Sequence, residues 1–129
     1  MGTLYSKFSG LSINVLSAWR KPDLLEALKD VRVIAPERVK LCCKMYLGRP
    51  AAKVKWYRNG KKICSRDKYR IKRDGDKMIL IIDESIVKDS ATYRCKATNK
   101  YGKVHSKCDV VVLRTSHIIY LFIYLFIYK

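Results

Sequence analysis

The chain has 129 residues, 49% hydrophobic and 30% charged, with 28 Lys and Arg against 11 Asp and Glu and a formal net charge of +17. That length bounds it to one domain plus extensions, and that charge favours acidic partners (nucleic acid, anionic lipid or an acidic protein surface) while saying nothing about fold. The charge belongs to the body of the chain: segment 22–113 holds all 11 acidic residues and 23 of the 28 basic ones, a balance of +12.

Residues 1–21, MGTLYSKFSGLSINVLSAWRK, contain no compact apolar run and make a poor signal peptide. They match the Met-Gly-x-x-x-Ser acylation pattern at Gly2 and Ser6, which is short enough to recur by chance. The sequence holds no Asn-x-Ser/Thr sequon, which with the missing signal leans toward a reducing compartment. Beyond residue 30, helical periodicity is weak and alternation is strong. VKLCCKM sends Val39, Leu41, Cys43 and Met45 to one face and Lys40, Cys42 and Lys44 to the other. KVKWYRNGKKI alternates around Trp56 and then meets Asn59-Gly60, a tight hairpin signal. YRIK precedes a second turn at Asp74-Gly75, and KMILII follows as an apolar strand. ATYRCKATN and HSKCDVVVL complete a set of short strands at the spacing expected of an all-β sandwich or barrel.

The last stretch, SHIIYLFIYLFIYK, has 11 consecutive apolar or aromatic residues from Ile118 to Tyr128. A membrane-spanning helix needs about 20, so no transmembrane span is expected. Ile, Tyr, Leu and Phe in that order are encoded by ATT TAT TTA TTT, which is ATTT repeated. Segment 114–129 is therefore read as a low-complexity tail translated from a simple DNA repeat. A short lipid-seeking anchor and a final strand are the alternatives. Its high β-propensity without Pro or Gly marks it as aggregation-prone.

Three residues decide between sandwich and barrel. Cys43, Trp56 and Cys95 fall on inward faces, and Tyr93 stands two residues before Cys95, with Asp89 six before it. A Tyr at that spacing fits the corner in which its hydroxyl bonds back to nearby backbone, with the Trp packed on the Cys pair. The expected fold is an all-β, immunoglobulin-like Greek-key sandwich over residues 22–113.

Catalysis and metal binding find little support. Neither His105 nor His117 has a nucleophile and an orienting acid at a predictable position. Adjacent Cys42 and Cys43 point to opposite faces, and no Cys-x-x-Cys pair occurs. The chain is expected to be no enzyme and to need no cofactor. Five cysteines are an odd number, so one thiol is unpaired unless it bonds another chain. Cys42 should face outward, Cys64 should lie near an edge strand and Cys108 should face inward, and the two outer thiols are candidates for redox sensing.

The stretches RPAAKVKWYRNGKKI, DSATYRCKATNKYGK and LKDVRVIAPERVKL together resemble the intermediate-set (I-set) immunoglobulin domains. Such domains occur in muscle proteins of the titin, twitchin and obscurin type, in myosin light-chain kinase, in palladin and in cell-adhesion receptors. The resemblance implies strands at 23–28, 30–34, 37–46, 53–58, 61–64, 68–73, 77–83, 91–99 and 103–113. It implies a core that includes Leu28, Val33, Leu41, Val54, Ile71, Leu80, Ile82 and Val110 around Cys43, Trp56 and Cys95. Two positions depart from the family pattern. Ala35-Pro36-Glu37 stands where a Gly is usual, and Ser85 stands where an apolar residue is usual, with Ile86 or Val87 expected to fill that space.

The resemblance also implies a non-catalytic interaction module of a larger cytoskeletal or sarcomeric protein, with Cys43 and Cys95 as buried thiols in the cytoplasm. The rival is an extracellular adhesion or receptor module with a Cys43–Cys95 disulfide. Alternation places Lys53 and Lys55, Arg94 and Lys96, and Lys107 outward on three strands that the family pairs in one sheet. The hairpin turn adds Arg58, Lys61 and Lys62. Like charges opposed across strands cost stability, so the cluster points to an acidic protein partner such as actin, with a merely solvated face as the alternative. Nucleic acid is disfavoured, because the face has no clear stacking platform. On the other sheet, Ile79 and Ile81 should face outward among lysine and arginine stems, where a contact with a neighbouring module is the alternative use.

Overall fold

The computed structural model describes residues 19–66 and 68–128; the Gly2–Ser6 acylation pattern lies outside them. Among the described residues nine strands form: β1 (Asp23–Glu26), β2 (Val31–Ile34), β3 (Val39–Tyr46), β4 (Lys53–Arg58), β5 (Lys61–Ile63), β6 (Tyr69–Asp74), β7 (Lys77–Ile82), β8 (Ala91–Asn99) and β9 (Gly102–Leu113). One sheet runs β1-β3-β7-β6 and the other β2-β9-β8-β4-β5. All pairings are antiparallel except β2 with β9, where Val31 faces Val110 and Ile34 faces Leu113. The two sheets therefore form the immunoglobulin-like sandwich expected from Cys43, Trp56, Tyr93 and Cys95.

Loop chemistry fixes the strand ends. Asn59 has a φ of 48° and Gly60 a φ of 84°, the left-handed pair that a tight hairpin between β4 and β5 requires. The Asn59 carboxamide also accepts from the Thr92 amide at 2.9 Å, tying that turn to β8. Between β1 and β2 the chain crosses from one sheet to the other. The Leu28 amide there donates to the Ser106 hydroxyl at 2.8 Å, and the Asp30 carboxylate accepts from the Asp109 amide at 2.8 Å. At the opposite end of the sandwich from the β4–β5 turn, Arg20 and Arg49 exchange backbone bonds of 3.0 and 2.8 Å. Gly48 makes that approach possible, because a Cβ there would overlap the Arg20 carbonyl and its φ is +77°.

Trp56 is 1% exposed and stands opposite Cys95 in the β4–β8 register, with Cys43 reaching in from the facing sheet. Leu41, Leu80, Ile82, Val110 and Val112 close around them. Met45, Met78 and Ala97 are as buried as these, while Val54 and Ile71, expected in the core, are only partly covered. Ile79 and Ile81 face outward in register, between Cys42 and Lys72 and between Lys40 and Arg70 respectively. They are nonetheless only 7% and 5% exposed; long polar stems can cover apolar surface in this way. No open apolar patch for a neighbouring module is left there.

The Tyr93 hydroxyl donates to the Asp89 carbonyl at 2.7 Å, which is the corner that the spacing predicts. The Asp89 carboxylate is itself buried, and it accepts from the Ile86 amide and from Lys68 Nζ, each at 2.8 Å. A buried charge persists only with such partners. Ser85 corrects one expectation. It is fully buried and its hydroxyl donates to the Glu37 carbonyl, while Ile86 and Val87 are 49% and 36% exposed and fill nothing. The two departures from the family pattern are thus each other's partners: the turn that lacks a Gly offers a carbonyl, and the missing apolar residue is a hydroxyl that takes it.

All five cysteines are free thiols. Cys43 and Cys95 share a hydrogen bond, which with burial holds Cys95 well above the usual thiol range. Burial, aided by the carboxylates of Asp30 and Asp109, pushes Cys108 up to about 11. Cys42 is exposed, as alternation predicts, and Cys64, just past β5, is exposed too.

The tail is neither a strand nor shapeless. Thr115–Ile127 forms a helix, α1, whose start is held by the Thr115 hydroxyl donating to the Ala35 carbonyl at 2.7 Å. A helix satisfies its own backbone groups, whereas a strand has to find a sheet edge to pair with. The four-residue repeat also brings Phe122 to Phe126 and Tyr124 to Tyr128, with ring centroids 6.4 and 5.0 Å apart, an i, i+4 pairing that supports the helix.

Two outcomes follow. Tyr93→Phe, which removes only the corner bond, should lower urea stability by about 1–3 kcal/mol because the Asp89 carbonyl loses its donor; an unchanged midpoint would count against the corner. Alkylation of the native protein at neutral pH should label Cys42 and Cys64 and spare Cys43, Cys95 and Cys108 until the chain is unfolded, as read by mass spectrometry. Rapid labelling of Cys108 would contradict its burial.

Candidate functional site

Alternation along β4, β8 and β9 divides each strand between the core and the outside. Tyr93, Cys95 and Ala97 point in, so Arg94, Lys96 and Thr98 point out. The register then lines up three outward rows across the sheet. Lys62, Tyr57, Arg94 and Lys107 make one; Lys55, Lys96 and His105 make the next; Lys53, Thr98 and Lys103 make the third. Lys53, Lys55, Arg94, Lys96 and Lys107 are thus brought onto one face, as expected.

Lys62 joins them from β5, but its companions in the turn do not. Arg58 pairs in register with Tyr93 and with Lys61, on the core-facing parity of the strand. It is half-buried, and its guanidinium donates to the Lys88 carbonyl. Arg58 is therefore a brace between the β4 end and the loop before β8, and Lys61 shares its side of β5. The reason is the strict two-residue period, which Trp56 fixes for the whole of β4.

Lys55 and Lys96 stand directly opposite one another. Such a like-charge pair costs roughly 0.2–1 kcal/mol. Among the described residues, no carboxylate pairs with Lys53, Lys55, Lys62, Arg94, Lys96 or Lys107; the ion pairs found are Arg38 and Arg70 with Asp83, Lys44 with Glu26 and Lys68 with Asp89. Asp109, at the margin of the face, accepts from the Thr92 hydroxyl at 2.7 Å. The Arg94 guanidinium lies 5.6 Å from the centroid of the Tyr57 ring, close enough for a cation–π contact that holds it in place. A shallow groove of about 310 Å³ runs between Lys53, Lys55, Tyr57, Lys96 and Thr98.

Lys103 and His105 belong to this face and escaped the sequence reading, although both share the parity of Lys107 and could have been found by counting in twos. The arrangement supplies a concentrated positive field on a rigid sheet. Among the described residues, no three His, Cys, Asp or Glu side chains converge on a point that could hold a metal ion.

Residues 22–112 match the family described as immunoglobulin I-set domain. The muscle M-line assembly protein unc-89 of Caenorhabditis elegans is 30% identical over 102 residues, covering 78% of this chain and 1% of its own length. Human myomesin-2 is 37% identical over 74% of this chain and 7% of its own, and human contactin-4 is 32% identical over 76% and 9%. The chain therefore spans less than a tenth of each of these relatives. A chimeric titin Z1Z2 structure superposes with a TM-score of 0.70 at 32% identity, covering 74% of this chain and 97% of that one. The titin Z1Z2 domains in complex with telethonin give 0.69 at 32% identity, covering 72% and 47%. On profile, sequence and structure together, the chain belongs to the immunoglobulin I-set domain family.

Proposed function

We propose that this I-set domain is a non-catalytic interaction module of a modular muscle or cytoskeletal protein, working in the cytoplasm, and that its β4–β8–β9 face docks on an acidic protein surface such as that of an actin filament. The observation that carries this reading is the opposition of Lys55 and Lys96, with Arg94 and Lys107 in the adjoining row and no carboxylate among the described residues in an ion pair with them. Solubility alone needs no such clustering on one sheet face. A surface of this kind steers an acidic partner and fixes its orientation. The rigid sandwich behind it supplies the mechanical link.

Kinship supports the setting. Two relatives named above are muscle proteins, and titin domains of the same fold are seen in complexes with telethonin and with obscurin-like 1. Tyr57 shares the groove with the cations and can stack on a partner's planar groups, but it is a single aromatic ring and not a platform for bases.

Cosedimentation with actin filaments tests the reading. The chain should pellet with filaments at low salt and be released as salt rises, since the screening length falls from about 10 Å at 0.1 M to about 3 Å at 1 M. Reversal of Lys53, Lys55, Arg94 and Lys96 to Glu should abolish pelleting while the far-ultraviolet dichroism stays that of a β-sandwich. No binding at low salt, or binding indifferent to the four reversals, would defeat it.

A further inference from the structure

Helix α1 is apolar on every side. From Ile119 to Tyr128 each residue is between 48% and 80% exposed, and the helix holds no Lys, Arg, Asp or Glu. A repeat of four residues on a helix of 3.6 shifts each stripe by only about 40°, so Ile, Tyr, Leu and Phe take four different sides, and the Tyr hydroxyls of one side are the only side-chain polar atoms from Ile119 to Tyr128. A partner helix or a protein groove covers one seam and asks for a polar back. A surrounding apolar medium covers all sides at once. The length points the same way. The apolar part of the helix, Ile118 to Ile127, rises about 15 Å, against about 15 Å for one leaflet and about 30 Å for the whole hydrocarbon layer. No helix among the described residues is long and apolar enough to cross a membrane.

The domain end that carries α1 suits the same medium. Arg114 immediately precedes the helix, and Ser90, two residues beyond Lys88, accepts from the Val112 amide at 2.9 Å, which holds that loop beside the end of β9. Ile34, Ile86 and Val87 are exposed at this end, drawn together by the Ser85–Glu37 bond and by the Glu37 carboxylate accepting from the Ile34 amide at 3.4 Å. The whole chain carries +17, and membrane attachment that is stable combines an inserted apolar element with basic charge.

We propose that this end of the sandwich docks on an anionic lipid bilayer, with α1 entering one leaflet and the neighbouring cations meeting the headgroups. The site is separate from the β4–β8–β9 face and does not depend on its partner.

The test is cosedimentation of the full chain with phosphatidylcholine vesicles that contain, or lack, phosphatidylserine. Binding should be stronger with phosphatidylserine, by about fivefold for each cation that reaches the surface, and should weaken with salt. Ile123→Glu with Phe126→Glu should cut it by at least about tenfold, with the urea midpoint of the sandwich unmoved as the control for folding. Partition that ignores phosphatidylserine, or that survives both glutamates, would overturn the proposal. So would a chain that forms oligomers in solution through α1 and leaves vesicles unbound, since a second copy would then be the occupant.

Discussion

The pairing of β4 with β8 is the constraint on which the rest of the molecule depends. On the core side it sets Trp56 against Cys95, with Cys43 arriving from the other sheet. On the outer side the same register, one residue along, sets Lys55 against Lys96. A slip of one residue would exchange these faces and bury two ammonium groups in place of an indole and a thiol. The cost of burying unpaired charge exceeds the cost of like charges meeting in water by a wide margin. The core therefore dictates the outer face, and the cationic rows persist because the apolar pattern behind them leaves no other register.

The same hierarchy explains which parts of the protein could be read from its sequence. Strand positions followed from alternation, and the β4–β5 turn followed from Asn59-Gly60, because in both cases the chemistry is local. The tyrosine corner followed from a two-residue spacing for the same reason. Arg58 was misplaced because a turn residue was counted by proximity and not by parity, and parity is what β4 obeys. Ser85 could not be read alone. Its burial is made good by a carbonyl 48 residues away in sequence, and a long-range bond of that kind leaves no local trace. The helical form of the tail was also hidden, since Ile, Tyr and Phe favour strands by propensity, while the i, i+4 ring pairs that support the helix exist only once it has formed.

Two surfaces of opposite character leave this domain. The β4–β8–β9 face is charged, rigid and bound to the core through its register; α1 is apolar and tied to the sandwich at its start, where the Thr115 hydroxyl meets the Ala35 carbonyl. Their separation matters mechanically. The two proposed docking sites use different residues, so engaging one would leave the other free. The braces at that end, with Tyr93 on Asp89, Asp89 on Lys68 and Arg58 on the Lys88 carbonyl, stiffen the loops through which any load on α1 would reach the core.

A double-mutant cycle on Lys55 and Lys96 measures the governing register most directly. Each single change, Lys55→Glu or Lys96→Glu, should raise urea stability, because an opposed repulsive pair becomes an attractive one. The double change should fall short of the sum of the two by about 0.5 kcal/mol or more, the coupling expected of residues in contact. Additivity within about 0.3 kcal/mol, or a loss of stability on either single reversal, would mean that the two side chains do not oppose each other and that β4 and β8 are not joined as described.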